Sequence, residues 1–193
     1  MMIAGIDFGS KMAGTTSICF GSINQQLKLI QSEKKKDADQ LILDFIKKNQ
    51  PDIIAIDAPL SVPPGIYGRG NQYFYRECDK LLKAMSPMFL GGLTARAIAL
   101  KDKIITSYSA IKVYETYPKG YITSVASGYI RNQYKTDLNL FQTALRIENP
   151  LFKIPDLDNW HQADSVLAYI SAYRISNQEA ISYGNRNEGL IYI

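Results

Sequence analysis

The chain has 193 residues, 46% of them hydrophobic and 21% charged, with 22 Lys and Arg against 18 Asp and Glu and a net charge of +4. That length and balance suit one globular domain, residues 1–193, with a sizeable core, and exclude a chain too polar to fold. No apolar run approaches the roughly 20 residues of a membrane span, and Asp7 interrupts the N-terminus before any secretory apolar region forms, so the expected setting is cytoplasmic with no membrane partner. Cys19 and Cys78 show neither a disulfide framework nor metal-ligand spacing, which fits a reducing compartment. The modest positive charge leans toward a polyanionic partner.

Met2 to Asp7 is an apolar run that ends in an aspartate, read as a buried strand delivering a carboxylate to its C-terminal end. Thr15 to Gly21 and Gln26 to Ser32 read as the second and third strands, the latter wet on one face, and Lys34 to Lys36 as a solvated turn. Asp37 is the expected N-cap of a helix whose stripe of Leu41, Leu43, Phe45 and Ile46 ends near Pro51. Asp52 to Asp57 repeats the first pattern, an apolar run closed by an aspartate. The order strand, strand, strand, helix, strand makes the first and fourth strands parallel neighbours and sets Asp7 beside Asp57.

Pro and Gly dominate Ser61 to Gly70, predicted as a loop, followed by a helix from about Tyr73 to Ala84. Gly91 and Gly92 break the chain before Thr94, the predicted cap of a helix through Leu100, and that glycine turn is also a candidate anion contact. Ile111 to Glu115 reads as a fifth strand, and helices are expected from Pro118, over Asp137 to Ile147, and over Trp160 to Tyr173. The predicted fold is α/β, a five-stranded mixed sheet in order 3-2-1-4-5 with helices on both faces, and residues 60–110 form a helical insertion over the active edge.

Two carboxylates held side by side repel and raise each other's pKa unless a cation sits between them. Hard cations, Mg²⁺ or Mn²⁺, take oxygen ligands and serve phosphoryl chemistry in pairs bridged by a shared carboxylate. Asp7 is the candidate bridge, Asp57 a ligand from the neighbouring strand, and Asp164 a third ligand from the edge of the last helix; Glu115, at the fifth strand's end, is a fourth candidate catalytic group. Each of these types also serves as turn former, cap or solvated residue. His161, the only histidine, lies three residues before Asp164 and is expected to be structural; a single histidine excludes two-histidine catalysis and a His₃ zinc site. Tyr67, Arg69, Tyr73, Phe74, Tyr75 and Arg76 interleave rings with cations, with Lys80 and Lys83 following, so Arg69 and Arg76 are candidate nucleic-acid contacts, with Lys11 just past Asp7. The same segment also reads as core plus a solvated face.

Gly5-Ile6-Asp7-Phe8-Gly9-Ser10-Lys11, Ile56 to Pro63, Arg76-Glu77-Cys78-Asp79, Tyr114 to Pro118 and Gln162 to Ala168 resemble, in that order, the motifs of the domain-of-unknown-function 429 family. The resemblance implies an RNase H-like fold and a nuclease, to which the carboxylate reading adds the metal dependence. The last motif carries one aspartate where relatives often have two, and the segment before it is short. Two other readings stay open. One is a non-catalytic binding module on the same fold. The other starts from Asp7-Phe8-Gly9 with Thr15 and Thr16, which also resembles the first phosphate loop of actin-like ATPases, although no second such loop follows.

Overall fold

The computed structural model describes all residues, 1–193. Its strands are β1 (Ile3–Asp7), β2 (Ser17–Gly21), β3 (Lys28–Gln31), β4 (Ile53–Asp57), β5 (Lys112–Thr116), β6 (Ser182–Asn185) and β7 (Gly189–Tyr192). All seven form one sheet, ordered β3-β2-β1-β4-β5-β7-β6. The β1, β2 and β3 meander is antiparallel, whereas β4 runs parallel to β1 and β5 parallel to β4. The expected order 3-2-1-4-5, the strand arrangement of an RNase H-like core, is therefore present.

Alternation along the central strands sorts the core into two layers. Ala4, Ile6, Ile54 and Ile56 face α1 (Ala38–Asn49) and α4 (Gly92–Ser107), packing on Ile42, Phe45, Ile46, Ala97, Leu100 and Ile104. Ile3, Ile53 and Ala55 face the opposite side, toward α5 (Pro118–Ser124), α6 (Gly128–Gln133), α7 (Leu138–Glu148) and α8 (Trp160–Ser176). By the same two-residue period Asp7 and Asp57 point to the α8 side. Helix α8 lies centrally on that side and is buried from Gln162 through Ala172. Its approach depends on Gly5: a Cβ there would stand 2.0 Å from the Tyr169 backbone nitrogen and 2.5 Å from the Ser165 carbonyl oxygen. Asp37 caps α1 as expected, its side chain accepting from the backbone N–H of Asp39 and Gln40.

Three expectations need correction. The sheet has seven strands rather than five: β7 pairs parallel to β5 and hairpins back to β6. The helix predicted from Tyr73 to Ala84 is only α2 (Glu77–Leu82), because Arg76 is extended (φ −81°, ψ 165°) and its backbone N–H donates to the Asp79 carboxylate at 2.8 Å, leaving Tyr73 to Tyr75 outside. Thr94 caps nothing; α4 already begins at Gly92, and the Thr94 hydroxyl donates to the carbonyl of Pro87, the first residue of α3 (Pro87–Leu90). The β6–β7 hairpin closes over α2. Ser61 Oγ donates to the Glu188 carbonyl at 2.7 Å, and a Cβ at Gly184 would lie 2.7 Å from Cys78 Cβ. No helix is long and apolar enough to cross a membrane.

Candidate active site

The register of β1 and β4 pairs Asp7 directly with Asp57, as it pairs Gly5 with Ala55 and Ile3 with Ile53. Neighbouring strands lie about 4.8 Å apart, so two carboxylates leave adjacent strand ends on one face. The start of α8 is fixed above them. Asn159 caps it, accepting from the backbone N–H of His161 and Gln162, and Ser165 Oγ lies 3.1 Å from Ser17 Oγ on β2. His161 and Asp164 are three residues apart, one helical turn, and project from the same side of α8.

His161 Nδ1 lies 2.7 Å from Asp7 Oδ2, so with Asp7 ionised Nδ1 carries the proton and donates it, and Nε2 is left without a protein partner. His161, expected to be structural, is in direct contact with Asp7. Asp164 accepts from two consecutive residues of the α6–α7 connection, Tyr134 Oη at 2.8 Å and Lys135 Nζ at 2.5 Å. Neither residue carried a sequence signal, because the connection reaches α8 only through tertiary packing. The Asp57 carboxylate accepts no hydrogen bond from any protein group.

Burial raises the pKa of Asp7 and outweighs the His161 bond, and the charge of Asp164 adds to the rise. Asp57 is raised well above the ordinary carboxylate range by burial, then by the charges of Asp7 and Asp164, with Lys135 opposing. The bond to Asp7 raises His161, against its partial burial. Burial and then Asp164 push the Tyr134 phenol upward, so it remains a donor.

Arg76 and Glu115 have other employment. Arg76 is fully buried, and its five side-chain N–H groups are all used: Nε and Nη2 on Asp79 at 3.1 and 2.6 Å, Nη1 and Nη2 on Glu115 at 2.7 Å each, and Nη1 on Ser61 at 2.8 Å. Arg76 as a phosphate contact is therefore corrected, since its guanidinium reaches no solvent. Burial works against the charge of Arg76, and the two carboxylates overcome it and raise its pKa. Glu115 also accepts from the Leu60 backbone N–H at 2.8 Å, so the fourth candidate carboxylate is bound to structural partners rather than presented to a ligand. Lys11 pairs at 3.0 Å with the capping Asp37. Arg69 is exposed, its guanidinium carbon 5.9 Å from the Tyr67 ring centroid.

A cleft of about 340 Å³ opens at the two strand ends, lined by Asp7 and Asp57 and walled in part by Phe8, Met85, Leu93 and Tyr117. Tyr67, Tyr73, Phe74 and Phe89, from the segment between β4 and α4, are more than half exposed. The donor set consists of carboxylate oxygens, one of them undonated beside a second negative charge, and this chemistry suits a hard divalent cation. As the side chains stand, no three His, Cys, Asp or Glu groups are gathered closely enough to ligate one ion. Asp164 is the carboxylate otherwise engaged.

No protein-family model matches the chain, so the motif resemblance gains no support there, and no curated protein matches it in sequence. Among solved structures the chain is similar to Thermus thermophilus RuvC in complex with a Holliday junction substrate, at 13% identity over 93% of this chain and 98% of that one, TM-score 0.45. It is also similar to the fowlpox virus resolvase with Holliday junction DNA, at 15% identity over 92% of this chain and 99% of that one, TM-score 0.45. The fold assignment rests on strand order and direction.

Proposed function

We propose that this chain is a metal-dependent nuclease that hydrolyses a phosphodiester of nucleic acid, with Asp7 and Asp57 holding Mg²⁺ or Mn²⁺ and Asp164 as the third ligand. The observation that carries the reading is the in-register pair of strand-end carboxylates, one of which has no hydrogen-bond donor. A divalent cation bound there would polarise a phosphoryl oxygen and lower the pKa of its water. The chain's own groups supply the remainder. His161, with Nδ1 committed to Asp7, has Nε2 free to take a proton from the attacking water or give one to the leaving oxygen. Exposed Arg69 and the rings of Tyr67, Tyr73 and Phe74 form a surface suited to phosphates and bases.

Two measurements test this. Millimolar Mg²⁺ or Mn²⁺ should raise the Tm of the wild type, since a cation present at 100 times its Kd stabilises the folded state by about 2.7 kcal/mol. Against single-stranded, duplex, hybrid and junction substrates the protein should cleave with Mn²⁺ and be inert in EDTA. Asp57→Asn, prepared identically, should lose both effects. Cleavage by that variant at the wild-type rate would reject the reading.

A further inference from the structure

Asp164 stands at the junction of two demands. It belongs on the metal side of the cluster by position, yet both its oxygens are taken by donors of a single short connection. Of those donors Lys135 is the charged one, and its ammonium also lies 5.2 Å from the Tyr134 ring centroid and 5.4 Å from that of Trp160. These rings hold the side chain over Asp164 while leaving it 46% exposed, with an open way outward. Its charge is felt at Asp7 and Asp57, where it opposes the effect of burial. A cation already compensates the cluster, and it is tethered to the chain.

We propose that Lys135 is the resident counter-ion of the carboxylate cluster, and that a divalent cation bound by Asp7 and Asp57 recruits Asp164 by displacing the Lys135 ammonium into solvent. The inference rests on the metal-site reading given above. It accounts for two facts together: three carboxylates converge from two strand ends and one helix, and no three acidic groups meet at one point. Asp164 has a carboxylate's four lone-pair directions, and the ammonium and the phenol occupy two of them. A divalent ion repelled by a neighbouring ammonium binds less tightly than the same ion without it, so Lys135 sets the metal concentration at which the site fills.

The test measures binding of Mn²⁺ alone, by the free-ion paramagnetic resonance signal, to wild type, Lys135→Met, Lys135→Arg and Asp57→Asn at one pH and ionic strength. Lys135→Met keeps an apolar stem against the two rings and removes the charge, and its metal-free Tm checks that it folds. It should bind Mn²⁺ on the order of tenfold more tightly than wild type, with Lys135→Arg close to wild type. In the wild type labelled with ¹³C-lysine, the Lys135 Cε resonance should move to its solvent-exposed position on addition of Mg²⁺. Equal or weaker binding by Lys135→Met, with wild type binding through Asp57, overturns the counter-ion proposal and leaves the metal site standing. If neither protein binds Mn²⁺, or Asp57→Asn binds as wild type does, the metal site itself is wrong and the proposal falls with it.

Discussion

Arg76→Met removes a buried cation that five hydrogen bonds tie to Asp79, Glu115 and Ser61. The variant keeps most of the aliphatic volume and strands two carboxylates, 1% and 5% exposed, without a counter-charge. Breaking a buried pair by deleting one partner costs about 3–5 kcal/mol, against about 5–15 kcal/mol for the whole stability of a typical domain. Urea unfolding at pH 7 should show that loss. The deficit should shrink at pH 5, because the stranded carboxylates take up protons in the folded state at pH values where the unfolded chain has released them. Adding Glu115→Gln should restore part of it, since one uncompensated charge goes. Nucleic-acid affinity of the folded variant should keep the wild-type salt dependence, because the guanidinium has no path to a phosphate. A cost below about 1 kcal/mol, or a salt slope reduced by one phosphate contact, would refute this account of the network.

Two further predictions concern the carboxylate cluster. The folded pKa values of Asp7 and Asp57 are raised, chiefly by burial, and that of His161 is raised by its bond to Asp7. Each therefore holds a proton in the folded protein above the pH at which the unfolded chain loses it, so metal-free stability should fall as pH climbs from the ordinary carboxylate range through the His161 transition. Thermal melts in EDTA should show this fall, reduced in Asp57→Asn; a Tm that rises between pH 5 and 8 would contradict it. Gly5→Ala should cost at least about 1–3 kcal/mol, because the added Cβ meets backbone that no rotamer change can move, and the Tm shift with Mn²⁺ should go with it as α8 carries Asp164 and His161 away. Gly128→Ala, with nothing within 4 Å of the new Cβ, is the control and should stay within about 0.5 kcal/mol of wild type.

Much of the sheet was legible because its central strands are short apolar runs with an abrupt acidic end, a pattern that buried parallel strands impose whatever surrounds them. The pairing of Asp7 with Asp57 followed from chain order alone. Strands β6 and β7 were not legible: Ser-Tyr-Gly-Asn and Gly-Leu-Ile-Tyr are short and half polar, with an Asn-Arg-Asn-Glu turn as their one hint. Arg76 looked like a surface cation beside aromatic residues, and only the convergence of Ser61 and Glu115 from elsewhere in the chain makes it interior. The Asp79 three residues later was the readable sign, since an acid at that spacing accepts from the backbone N–H that precedes a helix. The place of His161 was legible in part, because Asn159 is a good cap and fixes the turn from which both His161 and Asp164 project.

The hairpin that closes over α2 bears on the order of folding. Ser61 meets Glu188 across 127 residues of chain, and the Glu77 backbone N–H meets the Glu188 side chain across 111. Contacts so distant in sequence form only after a costly loop closure, and they slow folding in proportion to their share of the native set. The segment holding Arg76 is not completed by its own neighbours, because Glu115 comes from β5 and the turn at Gly189 packs on Ser61. One wall of the cleft thus depends on a strand far from it in sequence, and a fluctuation that lifts β7 opens that wall while β1 and β4, each flanked by other strands, hold the two aspartates in register.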